Sequence, residues 1–486
     1  MIQRLAFRPK KAHKVAVSQT KTPPIYELGP DFYDEVKSAD FPQAQLRYRN
    51  DQAAKLVGLE ALSAEQWQQH FAHFTALPSN LSTPLALRYH GHQFRQYNPD
   101  LGDGRGFLFA QFQVGDKLYD LGTKGSGQTP YSRRGDGRLT LKGAFREILA
   151  TELLESYGVN TSKTFSVFET GESLERHDEP SPTRAGVLVR LSHGHIRFGT
   201  FQRLAFLKQI DNIKKLLAYS IRHYYPDLLP YSEPEQAALF LKQVSFASAE
   251  TVAAWMMAGF VHGVLNTDNM NVTGESFDYG PYRFLPHYDP TFTAAYFDQS
   301  GLYCFGRQPS AVLWNVLQLA EALKVAFPDL ATGEIQDDFA DQFNLHMRNR
   351  LLSRLNLYNP LEDEAAAAKL DEALIMNFFN FMDEAKPFYE QTFYDLHSGV
   401  LSADQLIRSP QAKAYKHPSF AALEDTLECY EVADQKKAEH SYFQKGKACS
   451  LLIDELEGIW APIAEKDDWT LFEEKLAEIR SFRGVY

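Results

Sequence analysis

The sequence predicts an α+β protein built as two lobes, a strand-rich one followed by a helical one. Three observations carry this expectation. Between about residues 85 and 200 the apolar pattern is strand-like; beyond 200 it takes helical spacing; and acidic charge gathers late in the chain. Residues 310–486 hold 17 Lys and Arg against 31 Asp and Glu, whereas the whole 486-residue chain has a net charge of −12, so residues 1–309 are slightly positive.

Residues 1–84 read as an N-terminal extension, Pro-containing loops with an amphipathic stretch near Ala61 to Leu77, and a helical extension is expected there. Its first residues, MIQRLAFRPKKAHK, are basic, but no apolar core follows, so a secretory leader is not expected; a mitochondrial leader is the alternative to a cytoplasmic location. Residues 85–200 form the strand-rich lobe. FLFAQFQV (107–114) and KLYDLGTK (117–124) flank Gly115-Asp116, a two-residue hairpin signal. LKGAFREILATELLESYG then places Leu141, Phe145, Ile148, Leu149 and Leu153 at helical spacing, with Gly158 as C-cap. Phe165 to Glu169 and Ala185 to Leu191 read as further strands around a polar loop, Gly171 to Thr183.

Residues 201–320 form the helical lobe. FQRLAFLKQIDNIKKLLAYSIRHYY leads into ETVAAWMMAGFVHGVL, which is apolar on nearly all sides and is expected to be buried helix. Strand-like pieces follow near Met270 to Thr273 and Tyr282 to His287. Residues 321–486 complete the chain as an acidic helical extension with a local Ala run, AAAAK at 365–369.

Composition excludes several classes. Hydrophobic residues are 44% and charged residues 23%, so a sizeable core is available and disorder is not expected. No stretch of eighteen apolar residues occurs, so no membrane association is expected. Cys304, Cys429 and Cys449 are an odd number without a C-x-x-C, which argues against a disulfide framework and for a reducing cytoplasm. Arginines of the strand-rich part stand beside glycines, a pattern suited to phosphate rather than to nucleic acid.

Three constellations carry chemistry. In LGDGRGF, Gly102, Gly104 and Gly106 precede the first hairpin strand, where a bare backbone can approach phosphates and Arg105 adds a charged donor. Lys124 ends the second strand, at an exposed edge whose replacement should leave folding intact, and Glu147 on the following helix can hold its ammonium. Within HGVLNTDN and the following DYG, Asn269 and Asp278 offer hard oxygen ligands suited to Mg²⁺ shared with nucleotide phosphates. The order of these parts is that of a protein-kinase-like nucleotide site, with Val264 where a kinase has its base Asp.

The chain resembles the selenoprotein O family, kinase-like in fold, whose members transfer AMP from ATP to protein hydroxyls. The resemblance rests on LGDGRG (101–106), KGSGQTPYSRRGDGR (124–138), FREILATE (145–152), VLVRLSHGHIRFGTF with its core at 189–201, and HGVLNTDNMNVTGESFDYGP (262–281). It implies ATP-binding roles for Gly102, Gly104, Arg105, Lys124, Asp136, Gly137, Arg190, Arg197 and Asp278. It also implies Asp268 as proton acceptor and Asn269 and Asp278 as ligands for Mg²⁺ or Mn²⁺. The implied partners are ATP and proteins bearing Ser, Thr or Tyr hydroxyls. Arg190 and Arg197 can clamp a buried triphosphate end, as the reversed nucleotide of that family requires. Two other readings stand beside this one: a catalytically dead nucleotide-binding scaffold, motivated by Val264, and an unorthodox kinase. Family members often carry Cys or selenocysteine near the C-terminus; this chain ends SFRGVY, so redox control through such a residue is not implied. The acidic third adds little to the resemblance.

Overall fold

The alternating segments around Gly115-Asp116 pair as their pattern dictates. In the computed structural model, which describes residues 17–18, 22–177, 179–399 and 403–486, Leu108–Val114 and Lys117–Lys124 run antiparallel. Val114 stands opposite Lys117 and Gly115 turns the chain with φ 59°. The basic segment 1–16 weighed above as a leader lies outside the described residues.

The hairpin sits inside a nine-stranded antiparallel sheet. Its continuous order is Tyr33–Glu35, Leu85–Leu87, Leu108–Val114, Lys117–Lys124, Thr183–Ser192, Lys163–Leu174 and Gln45–Arg49. The helical N-terminal extension is therefore corrected. Residues 22–84 hold helices Asp51–Leu56 and Ala64–Phe71, but they also supply both ends of this strand order. Strands of three to five residues show no usable periodicity and are fixed by their partners. The loop read at Gly171 to Thr183 shortens to a hairpin connection, because Leu174 pairs with Thr183.

One face of the sheet, with Leu121, Val187 and Val189, is covered by Trp67 and Phe71. Trp67 stacks on Phe165 at 4.9 Å and donates its indole N–H to Ser166 Oγ at 2.9 Å. The opposite face receives the Leu141–Ser156 helix, started by Thr140 Oγ1 accepting from the Gly143 N–H and closed beside Gly158, φ 75°. Its Phe145, Ile148 and Leu149 enter a core that extends to residues 456–485, so the acidic third is part of the same packing.

Two helical expectations change. The stretch after residue 200 is two helices, Phe198–Phe206 and Ile210–Tyr224, separated where Lys208 takes φ 55°. The Glu233–Met257 helix stops well short of Leu265: Gly259 has φ 60°, and a Cβ there would lie 2.7 Å from the Tyr389 ring. Phe260–Val261 then pairs with Arg283–Phe284, while residues 270–273 form a bridge and turn rather than a strand. Among the described residues no helix is long and apolar enough to cross a membrane, and the three cysteines are free.

Candidate active site

The sheet register brings the cations together. Arg190 stands opposite Gly122, and paired residues project to the same face, so Arg190 and Lys124, two residues beyond Gly122, share that face. Gly122 leaves room for the His195 ring: a Cβ would lie 2.2 Å from His195 Nε2. His195 is held between Asp120 Oδ2 and Arg190 Nε, each at 3.4 Å, and burial lowers its pKa, keeping the ring neutral.

Lys124 is buried, not at an exposed edge. Its Nζ lies 2.5 Å from Glu147 Oε2 and 2.7 Å from Asp278 Oδ1, and it is only 5% exposed. The expectation that its loss leaves folding intact is therefore overturned, since two carboxylates depend on it. Arg190 Nη1 adds longer contacts to the same pair, 3.9 Å to Glu147 and 3.8 Å to Asp278. That nitrogen is buried without a hydrogen-bond partner. Burial would raise the Asp278 pKa, but Lys124, Arg190, Arg105 and Arg197 outweigh it and hold the carboxyl well below its usual range. Asp278 also takes φ 64°, strained for a non-glycine residue.

The loop bearing Asp268 is pinned from several sides. His262 Nε2 meets the Phe277 carbonyl at 3.0 Å, Asn315 donates to the Leu265 carbonyl at 2.9 Å, and Thr267 Oγ1 donates to Gln202 at 2.6 Å. Arg197 Nη1 donates to the Asp268 carbonyl at 2.9 Å, and Nη2 lies 3.4 Å from Asp103. Its guanidinium rests on the Tyr89 and Phe277 rings at 4.5 and 4.9 Å. Asp268 is buried with Oδ1 unpartnered, and burial pushes its carboxyl up to about 6. Asn269, half-buried, donates through Nδ2 to the Val264 carbonyl at 2.9 Å.

Lys124, Arg190, Arg197, Asp268, Asn269 and Asp278 line one cavity of about 1040 Å³, together with Gly102, Gly104, Arg105, Asp136 and Gly137. Every candidate except Glu147 is on that lining; Glu147 stands behind Lys124. The glycines have a nearer reason than phosphate. A Cβ at Gly102 would enter the Tyr131 ring at 2.3 Å, and one at Gly104 would lie 2.9 Å from the Tyr131 carbonyl. Gly137 has φ 70° and packs against Gly127, where a Cβ would stand 2.2 Å from its oxygen. Asp136 is exposed and paired with Arg176 at 2.8 Å. Sequence reasoning missed Asp103, Asp120 and His195, although each lies in a segment quoted above: LGDGRG, KLYDLGTK and the His-Gly-His turn.

Comparison with known proteins extends beyond the cavity. The chain matches the family model of protein adenylyltransferase SelO over residues 16–480. A protein nucleotidyltransferase YdiU of Trichodesmium erythraeum is 44% identical over 474 residues, 94% of this chain and 97% of that protein. Its counterpart from Synechocystis sp. is 40% identical over 485 residues, 95% and 98% of the two chains. The one from Vibrio cholerae is 36% identical over 340 residues, 70% of this chain and 68% of that protein. With a match running through the acidic third as well as the cavity, the chain belongs to the protein adenylyltransferase SelO family.

Proposed function

We propose that this cavity transfers AMP from ATP to Ser, Thr or Tyr hydroxyls of proteins. The observation that carries the reading is that the buried cations Lys124, Arg190 and Arg197 line one cavity of nucleotide size together with Asp268, whose Oδ1 is buried without a hydrogen-bond partner. Lys124, aimed by Glu147, and the two arginines bind the polyphosphate and stabilise the departing diphosphate. The acceptor oxygen attacks the α-phosphorus, the bond from that phosphorus to the α,β-bridging oxygen breaks, and the hydroxyl proton passes to Asp268. In this reading residues 85–200 and 201–320 act as the two lobes of a kinase-like arrangement, flanked by 1–84 and 321–486.

ATP labelled separately at the α- and γ-phosphate tests the reading. Label in protein from the α position only is expected; label from the γ position only would favour a kinase, and none from either a binding scaffold.

Asp278 and Asn269 supply oxygen donors fit for Mg²⁺ or Mn²⁺. Among the described residues no cluster of three His, Cys, Asp or Glu could hold a metal alone, so the fit is to an ion whose shell nucleotide phosphates complete. Such an ion would neutralise phosphate charge. Excess chelator is expected to abolish label transfer, and Asp278→Ala to lose more than Asn269→Ala, because the carboxylate brings charge as well as a lone pair. Full transfer in chelator would refute metal assistance.

A further inference from the structure

The Leu141–Ser156 helix meets the cavity on one side and a much later part of the chain on the other. Glu147 faces Lys124, while Glu152, five residues on, is turned by about 140° around the axis at roughly 100° per residue. The Glu152 carboxylate is 2% exposed, yet three side chains from two distant segments converge on it. Arg480 approaches with two nitrogens, Nη2 to Oε1 at 2.8 Å and Nε to Oε2 at 3.1 Å, and Arg483 Nη2 reaches Oε2 at 2.5 Å. Tyr48, on the Gln45–Arg49 strand, donates its hydroxyl to the same group. Burial would raise this carboxyl's pKa, but the guanidiniums outweigh it and hold it below its usual value.

The same late segment grips the helix along its length. Lys142 Nζ lies 2.7 Å from Glu457 near one end, and Ser156 Oγ donates to the Ile479 carbonyl at 3.2 Å at the other. Between them Phe145 packs on Trp460 and Phe472, ring centres 5.4 and 5.6 Å away.

We propose that Glu152, Arg480 and Arg483 are positioning residues for nucleotide binding. They set the rotation and height of the helix, and so the place from which Glu147 directs Lys124. A helix transmits such a setting because Glu147 and Glu152 are only about 7.5 Å apart along a hydrogen-bonded rod. Lys124 makes the setting consequential, since Asp278 competes for its ammonium at 2.7 Å against 2.5 Å for Glu147. When Glu147 withdraws, the ammonium passes to Asp278 and no longer points at phosphate.

This inference rests on the cavity being a nucleotide site, as proposed above. The test uses the full chain carrying Arg480→Gln/Arg483→Gln, with ATP and adenosine binding measured by calorimetry. Lys124→Gln and the combination of all three changes are measured beside it. ATP affinity is expected to fall about tenfold while adenosine affinity stays unchanged. The combined variant is expected to lose no more than Lys124→Gln alone, because both act through one ammonium. ATP affinity equal to that of the unaltered chain, equal losses for ATP and adenosine, or losses that multiply in the combination, would overturn the proposal. Should the double variant fail to fold, Glu152→Gln/Arg480→Gln/Arg483→Gln removes the buried charge with its partners and is judged by the same comparisons, its fold checked by near-ultraviolet circular dichroism. An unaltered chain that binds ATP but transfers no α-label defeats the proposed function and leaves this test standing; one that does not bind ATP defeats both.

Discussion

Lys124→Ala is expected to lower label transfer by about 10²–10³-fold, the usual cost of removing one preorganised charge from a phosphate site. It is also expected to destabilise the fold by about 3 kcal/mol, because Glu147, 1% exposed, loses its closest cation. Arg190, at 3.9 Å from Glu147, keeps the loss at the lower end of the usual range for a broken buried pair. Activity and stability separate in Lys124→Met/Glu147→Gln, which removes both charges: melting temperature should recover most of its loss, and transfer should not. Recovery of transfer in that double variant would remove Lys124 from phosphate binding.

Asp268→Asn is expected to reduce turnover by about 10²–10⁴-fold while ATP affinity stays within about threefold of the unaltered chain. Asn keeps the size of the side chain and one acceptor oxygen for the turn but cannot accept the hydroxyl proton. The competing role is a carboxylate that merely shapes its turn through a backbone hydrogen bond; it leaves unexplained the Oδ1 that is buried without a hydrogen-bond partner. Steady-state incorporation of AMP, measured beside nucleotide affinity, distinguishes the two. Near-normal turnover would leave Asp268 with no part in proton transfer.

Much of the strand-rich stretch was legible because its signals are local. The Gly115-Asp116 turn, the alternation on either side and the apolar spacing of Leu141 to Leu153 each lie within one element, and each element formed as read. What escaped depends on distant contacts. The apolar run continues through Leu265, so its spacing hides the local stop at Gly259, a left-handed glycine just past the helix end that also accommodates the Tyr389 ring, 130 residues later. Lys124 looked like a surface charge because nothing in its own strand shows that Asp278 arrives 2.7 Å away. Glycines of the 101–106 turn were legible as a demand for bare backbone, but the sequence could not say whether phosphate or Tyr131 makes the demand; the fold places Tyr131 there. The late acidic region carried no motif, and yet Arg480 and Arg483 close on Glu152 from more than 300 residues away.

That separation has a consequence for how the protein comes into being on the ribosome. Arg480 is translated 328 residues after Glu152, a delay of roughly 16–66 s at about 5–20 residues per second. Throughout that interval the nascent helix exposes Phe145 and holds an unneutralised carboxylate that its native position buries. A chaperone that shelters apolar surface has a defined target there. For the same reason a fragment ending near residue 320 would contain every residue of the cavity and still lack the segment that covers its central helix. Cutting the chain there would therefore yield an incomplete unit rather than a minimal one.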